Sequence, residues 1–152
     1  MTLLHFYDDF PMVNTLEQMA ASLRYISRND EYDSMTYGKN SKSALDSFWL
    51  KRANFDVESA KKLVKIYYNR VQHANMLFTS YKEGWKTDRG MMYIVYGEPD
   101  KVFNDNNTET WVYNPQGDLP QMSFVFRKKE NPFTLNNYEL ERHKDYFDGW
   151  RV

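Results

Sequence analysis

The sequence predicts an α+β fold in which helices come first and a small antiparallel sheet follows. Between residues 16 and 81, apolar residues recur at every third or fourth position, which is the period of amphipathic helices. Beyond residue 109, short segments rich in aromatic and β-branched residues are bounded by turn residues, which is typical of strands. A chain of 152 residues fits one folded unit, so we expect a single domain over residues 1–152.

Three helices are predicted for the N-terminal part of the chain. Asn14 or Thr15 is placed to cap the first helix, because both precede a run in which apolar residues follow the helical period. Ser41 or Ser43 is the candidate N-cap of the second helix. Residues 31–35 are expected to add only a short helical piece between these two helices.

The third helix has the clearest pattern in the chain and is predicted over about residues 56–82. Asp56 is its candidate N-cap, and Gly84 is a natural C-terminal stop. At 1.5 Å per residue this helix would be roughly 40 Å long, so we expect it to span the domain. Its apolar face comprises Ala60, Leu63, Val64, Tyr67, Val71, Ala74, Phe78 and Tyr81.

The second half of the chain is predicted to form an antiparallel sheet of three to four strands. Residues 110–113 and 122–126 are the clearest strands, and the asparagine, proline and glycine between them are typical turn residues. Residues 134–138 would add a third strand. The tail over residues 138–150 is expected to form a short helix that packs back onto the domain.

Residues 91–96 allow two interpretations. Their pattern favours a strand, and we predict one there. Asp88 is also placed to cap a short helix that would end at Gly97. In either case Pro99 is expected to fix the turn that follows Gly97.

The segment between the long helix and residue 91 reads Gly84-Trp85-Lys86-Thr87-Asp88-Arg89-Gly90. It resembles the signature of the GWxTD domain, a bacterial family best known from Bacteroidota and Acidobacteria. Two upstream segments are also similar to that family, namely Leu45-Asp46-Ser47-Phe48-Trp49-Leu50-Lys51-Arg52 and the long-helix residues Tyr67-Tyr68-Asn69-Arg70-Val71 with Ala74 and Phe78. The resemblance covers most of the chain. It implies no activity, but it implies a piece of a longer exported protein in the periplasm or cell envelope, because such domains usually belong to larger envelope-directed proteins.

Two roles are open for the signature residues. In the structural role, Trp85 fills the seam between helix and sheet, and Thr87 and Asp88 accept hydrogen bonds from the N–H groups of the turn. Gly90 and Gly97 would permit a positive φ or a close approach of two backbones. In the functional role, Trp85, Asp88 and the following arginine form the exposed edge of a groove that binds a peptide or a glycan.

Arg89 is expected to form an ion pair with Asp46, Asp88 or Asp100, since its planar guanidinium group matches a carboxylate. The candidate binding residues are Gly84, Trp85, Thr87, Asp88, Arg89, Gly90, Gly97, Pro99 and Asp100, supported by Asp46, Trp49, Arg52 and Trp111.

Composition excludes several classes of function. The formal net charge is −1, so we expect no nucleic-acid partner. The absence of cysteine excludes disulfides and thiolate ligands, and the three histidines have no partner at helical spacing, so no metal site or cofactor is expected. No apolar run approaches the roughly 20 residues that cross a bilayer. Aromatic residues make up 17% of the chain, which indicates a core built largely from rings.

Two functional hypotheses from different classes follow. The favoured one is a non-catalytic interaction or assembly module of a bacterial cell-envelope protein, which binds another envelope protein through an aromatic face or an exposed sheet edge. The alternative is a hydrolase acting on a glycan or a peptide, with Asp88 as one of two carboxylates about 5–10 Å apart. A spacer between domains is a third interpretation and predicts no site. The sequence does not indicate an oligomeric state.

Overall fold

A computed structural model of the chain describes residues 5–118 and 120–142. Within them, five α-helices precede a four-stranded antiparallel sheet, so the α+β prediction is confirmed. The helices are α1 (Leu16–Ser22), α2 (Asn29–Thr36), α3 (Ser41–Arg52), α4 (Val57–Phe78) and α5 (Asp88–Tyr96). The strands are β1 (Lys101–Asn104), β2 (Thr108–Tyr113), β3 (Met122–Lys128) and β4 (Tyr138–Leu140). Short 3-10 turns at Leu23–Tyr25 and Gly84–Lys86 follow α1 and precede α5, respectively.

Four helices precede the signature segment, so the predicted three-helix N-terminal part is wrong. The additional helix is α2, which is longer than the short piece expected at residues 31–35. Its start is stabilised by Glu31, whose carboxylate accepts a hydrogen bond from the Arg28 N–H at 3.1 Å. Met35 anchors the helix in the core and is only 2% exposed.

Two predicted helix caps are confirmed. The Thr15 hydroxyl accepts from the Gln18 N–H at 3.2 Å, and the Gln18 side chain accepts from the Thr15 N–H, which is a reciprocal capping box. The Asp56 carboxylate accepts from the Ser59 N–H at 2.7 Å at the start of α4. Hydrogen bonds from Ser59 hold the pKa of Asp56 below its ordinary value.

The start of α3 differs from the prediction. Asn40 occupies the N-cap position, and its side chain makes no capping hydrogen bond. Ser41 and Ser43 both lie inside the helix, so neither is the cap. The Ser41 hydroxyl instead donates to the Gly38 carbonyl at 2.8 Å and ties the first turn to the preceding loop.

α4 is the longest helix described, and it ends earlier than predicted. Thr79 leaves the helical conformation with ψ 133°; its hydroxyl donates to the Asn75 carbonyl at 2.5 Å and accepts from the Gly84 N–H at 3.0 Å. Gly84 therefore lies beyond the helix, and the 22 residues of α4 extend over about 33 Å. No helix described here, α4 included, is both long and apolar enough to span a membrane. The buried residues of α4 are Ala60, Tyr67, Val71, Ala74, Asn75 and Phe78.

The sheet is a meander in which each strand pairs with its neighbour in the sequence. The predicted strands 110–113 and 122–126 are confirmed as parts of β2 and β3, and β1 is an additional strand. The third predicted strand, at 134–138, lies instead at Tyr138–Leu140. Because these residues pair with β3, the predicted helical tail is wrong over them. Residues 143–150 of that tail lie outside the described residues.

One face of the sheet packs against the helices through rings. The Phe78 and Trp111 rings lie 5.4 Å apart, and those of Tyr96 and Phe124 lie 5.3 Å apart. We call this the inner face; its most buried side chains are Trp111, Tyr113, Phe124 and Phe126. The inner face, α4 and α5 therefore share one aromatic core.

Residues 91–96 belong to α5, so the predicted strand is wrong. The helix begins after Thr87 rather than after Asp88, since the Thr87 hydroxyl accepts from the Gly90 N–H at 3.0 Å. Three consecutive residues of α5, Met92, Tyr93 and Ile94, are buried. A helix packed between a longer helix and a sheet buries a broad face, and such a face is hard to distinguish from a buried strand in sequence.

Candidate functional site

The signature segment brings three stretches of backbone into contact. Gly84 lies against α4 so closely that a Cβ at this position would be 1.9 Å from the Ala74 carbonyl oxygen. A Cβ on Gly90 would be 1.9 Å from the Gly84 carbonyl oxygen. Real Cβ atoms do not approach oxygen this closely, so only glycine permits this stacking of α4, the turn and α5. Both glycines therefore have a packing role.

Asn75 connects the turn to the segment that precedes α1. Its side-chain amide donates to the Pro11 carbonyl at 2.9 Å and accepts from the Trp85 N–H at 3.0 Å. The Trp85 carbonyl accepts from the Tyr25 hydroxyl at 2.9 Å, and the two rings meet edge to face at 6.3 Å. The half-buried Trp85 ring thus packs on the helical side of the domain, at the 3-10 turn after α1.

Arg89 does not pair with any of the three aspartates predicted for it. Its guanidinium donates to the Glu109 carboxylate at 3.2 Å and to the Asn136 backbone carbonyl at 3.2 Å, and it also contacts the Asn136 side-chain oxygen. The side chains of Arg89 and Glu109 are only 7% and 14% exposed. The arginine therefore joins α5 to β2 and to the segment that precedes β4.

The surroundings of this ion pair are aromatic. The Arg89 guanidinium carbon lies 4.1 Å from the centre of the Tyr138 ring and 5.3 Å from that of Phe78. Burial lowers the pKa of Arg89, and the negative charge of Glu109 opposes that shift. The other Glu109 carboxylate oxygen accepts from the Trp111 indole N–H at 2.6 Å. Glu109 thus connects two of the predicted site residues, Arg89 and Trp111.

Asp88 binds a backbone N–H group at the β4 edge of the sheet. Its carboxylate accepts from the Leu140 N–H at 2.7 Å. In an antiparallel pair, successive residues point their backbone groups alternately toward and away from the partner strand. Glu141 donates to the Val125 carbonyl, so the N–H of Leu140 points away from β3. Asp88 therefore satisfies a donor that would otherwise be exposed at the edge of β4.

Gly97, Pro99 and Asp100 form the connection from α5 to β1. Gly97 has φ 84° and ψ −160°, a conformation that is essentially restricted to glycine, and its carbonyl accepts from the Tyr113 hydroxyl at 2.9 Å. The Asp100 carboxylate accepts from the Asn114 N–H at 2.7 Å, which ties the start of β1 to the end of β2. Pro99 lies half-buried between them.

The supporting residues divide between two regions. Trp111 belongs to the Arg89 network, as described above. Trp49 is buried among the rings of α3 and α4, 5.3 Å from Tyr67. Arg52 donates to the Ile26 carbonyl at 2.5 Å and holds the C-terminal end of α3 against the turn after α1. Asp46 is exposed and pairs with Lys42 at 2.7 Å on the surface of α3.

Three residues of the network were not predicted from the sequence: Asn75, Glu109 and Asn136. Asn75 is 1% exposed and interrupts the apolar face of α4, so a polar residue within an apolar stripe was the available signal. Glu109 lies two residues before Trp111 and shares its sheet face. Asn136 lies in an irregular segment, where no periodic pattern indicates a contact.

β1 is an edge strand of the sheet, and within the described residues no further strand pairs with it. Asp105 donates to the Thr108 carbonyl and closes the hairpin, so residues 101, 103 and 105 direct their backbone groups toward β2. The N–H and C=O groups of Val102 and Asn104 therefore point away from β2. The side chains of Val102 and Phe103 are 46% and 59% exposed. Apolar side chains beside outward-pointing backbone groups are the features of a site that accepts an added strand.

A polar cleft lies beside the signature, with a volume of about 360 Å³. Asp88 and Glu139 contribute carboxylates to its lining, and Lys82 and Arg142 contribute positive charges. In the described part of the chain, no three histidine, aspartate or glutamate side chains are arranged to hold a metal ion.

The fold and the signature segment define an α+β domain whose helices and sheet meet at a turn built on two glycines. The family model of the GWxTD domain matches residues 1–152, which is the whole chain, so the protein belongs to the GWxTD domain family. None of the curated proteins or solved structures compared with the chain matched it.

Proposed function

We propose that this domain is a non-catalytic interaction module that binds an extended segment of another protein as an additional strand beside β1. The observation on which this proposal rests is the open edge of β1. Val102 and Asn104 offer N–H and C=O groups there, and an added strand in extended conformation can pair with both residues at once. The exposed side chains of Val102 and Phe103 supply apolar contact area at the same place.

The opposite edge of the sheet supports the same assignment. At β4, the Asp88 carboxylate already accepts the outward N–H of Leu140, and α5 packs beside the strand. Edge strands that take no partner are usually covered in this way. Among the described residues, β1 has no comparable cover. The contrast between the two edges favours β1 as the binding edge and gives Asp88 and Arg89 a structural role.

The setting that we propose is the bacterial cell envelope, with another envelope protein as the partner. This part of the proposal is supported by the family, whose domains usually belong to larger envelope-directed proteins. An interaction edge suits such a protein, because strand addition links separately folded domains without requiring a deep pocket.

The proposal is tested by blocking the edge without disturbing the sheet. In Val102→Pro, the proline ring replaces the outward N–H and occupies the space that an added strand needs. Because that N–H takes no part in the pairing with β2, the variant is expected to fold, which a cooperative melt monitored by circular dichroism verifies. Val102→Thr is the matched control, since it keeps the N–H and the β-branched shape.

The native domain and both variants are immobilised and exposed to an envelope extract of the source organism, and retained proteins are quantified by mass spectrometry. A candidate partner is then purified and titrated against each variant. We expect the Val102→Thr domain to keep binding it and Val102→Pro to lose it. Equal binding by folded Val102→Pro would refute strand addition at β1.

A hydrolase is the second candidate function. The observation in its favour is that Asp88 and Glu139 line the same cleft, as a pair of catalytic carboxylates would. The observation against it is that the Asp88 carboxylate is already engaged by the Leu140 N–H. Asp46 and Asp100 make their own contacts, with Lys42 and the Asn114 N–H. Release of products from a peptidoglycan or peptide substrate by native protein, but not by Asp88→Asn, would favour this candidate over the first.

A further inference from the structure

We infer that the segment bound at β1 carries two consecutive apolar residues, one on each face of the sheet, flanked by polar residues. This inference rests on the proposed function, because it specifies the partner of the same edge. It follows from the side chains that lie opposite one another on neighbouring strands and so form rows across the sheet. An added strand would extend each row by one residue.

The first row lies on the inner face. Val102 is opposite Trp111, and Trp111 is opposite Phe124. Trp111 and Phe124 are each 2% exposed, whereas Val102 is 46% exposed. Along this row Trp111 and Phe124 are therefore buried in the aromatic core, and Val102, the last residue of the row, is partly exposed to water. A residue of the partner that pairs with Val102 would lie beside it on the inner face, where an apolar side chain covers the exposed part of Val102.

The second row lies on the opposite, outer face. Phe103 is opposite Thr110, and Thr110 is opposite Val125. Phe103 is 59% exposed, while Thr110 and Val125 are half-buried. Because Phe103 follows Val102 directly, the partner residue beside Phe103 is the immediate neighbour of the one beside Val102. Aromatic and β-branched side chains make the most favourable cross-strand pairs with phenylalanine.

The two ends of β1 set the limits of the apolar pair. Lys101 and Asn104 are exposed and polar, so partner residues beside them remain in contact with water. An acidic residue beside Lys101 would gain a cross-strand charge pair. The partner sequence that fits the edge is therefore polar–apolar–apolar–polar in extended conformation, rather than the strict alternation of an ordinary amphipathic strand.

The test uses the 152-residue chain and three blocked synthetic peptides of equal length. The first has a central valine–tyrosine pair flanked by threonine and glutamate. The second has the same composition with the apolar residues separated by threonine. The third repeats the first with an N-methyl group on every backbone amide of the four central residues, which keeps the side chains and removes the N–H donors of both strand edges. Binding is followed by NMR titration and by slowed hydrogen exchange of the Val102 and Asn104 amides.

We expect the first peptide to slow exchange at both amides, the second to bind about fivefold to tenfold more weakly, and the third not to bind. The Val102→Thr, Phe103→Thr double variant should lose the preference for the first peptide, and Leu135→Thr, at a side chain 84% exposed elsewhere, should keep it. Equal affinity of the first two peptides with no binding of the third would overturn the apolar-pair inference and leave strand addition intact. Equal binding of the N-methylated peptide, or no slowing at either amide, would overturn both.

Discussion

Replacing Arg89 by glutamine is expected to destabilise the domain strongly, because it leaves the Glu109 carboxylate buried without its charged partner. The two side chains are 7% and 14% exposed, so water replaces little of the lost interaction. Breaking a buried ion pair by removing one partner costs about 3–5 kcal/mol. For a chain of this size, that cost corresponds to a fall in Tm of about 6–20 °C.

The matched control is Lys42→Gln, which breaks the ion pair with Asp46 on the surface of α3. These side chains are 78% and 56% exposed, so the free energy of unfolding should change by less than about 0.5 kcal/mol. A third variant, Arg89→Gln with Glu109→Gln, removes the uncompensated charge. It is expected to recover part of the stability that Arg89→Gln loses, because contacting residues are energetically coupled.

The assay is urea denaturation monitored by circular dichroism and by tryptophan fluorescence, with coincident transitions as the check for two-state unfolding. If Arg89→Gln costs no more than Lys42→Gln, the buried network does not stabilise the fold. The structural role that we assign to the signature arginine would then be wrong.

Three further predictions concern the same region. Gly90→Ala should lower the free energy of unfolding by about 2–3 kcal/mol or more in urea denaturation, because its methyl group meets the Gly84 carbonyl at 1.9 Å; Gly117→Ala, where only φ 57° is unfavourable, should cost about 1 kcal/mol. Thr87→Ala should cost about 0.5–2 kcal/mol through loss of the α5 cap, and equal melting curves for Thr87→Ala and native protein would contradict that role. Burial raises the pKa of Tyr25 to about 12, so its contribution to stability is complete below about pH 10 and lost as the pH rises toward 12. Because the chain has 12 tyrosines, the ultraviolet phenolate titration of native protein is compared with that of Tyr25→Phe. The absorbance missing from the variant should belong to this delayed ionisation, and its appearance at about pH 10 would show that the ring is accessible.

The parts of the fold that the sequence predicts are those determined by local chemistry. Thr15 and Asp56 cap helices because a side-chain oxygen reaches an N–H group three residues along the chain, and that spacing is visible in the sequence. The strands within β2 and β3 are visible because segments rich in aromatic and β-branched residues, around Trp111 and Phe124, stand on either side of turn residues. β1 has only four residues, all of them exposed.

The candidate site was predicted less well, because its contacts depend on how elements pack. Arg89 was expected to find one of three aspartates, yet its partners Glu109 and Asn136 lie 20 and 47 residues further along the chain. Which carboxylate faces the arginine depends on the position of α5 against β2, and no local pattern encodes that position. The role of Asp88 likewise depends on which N–H groups of β4 point outward.

The meander order of the sheet has a consequence for how the chain folds. Each strand pairs with the next strand in the sequence, so the loops between paired strands are short. The entropic cost of closing such loops is small. Several long-distance hydrogen bonds meet instead at the signature, where Tyr25 reaches Trp85 over 60 residues and Arg89 reaches Asn136 over 47. Such non-local contacts slow a folding reaction. Hairpins and α4 should therefore form early, and the closing of the signature turn should be the step that commits the chain to its native state.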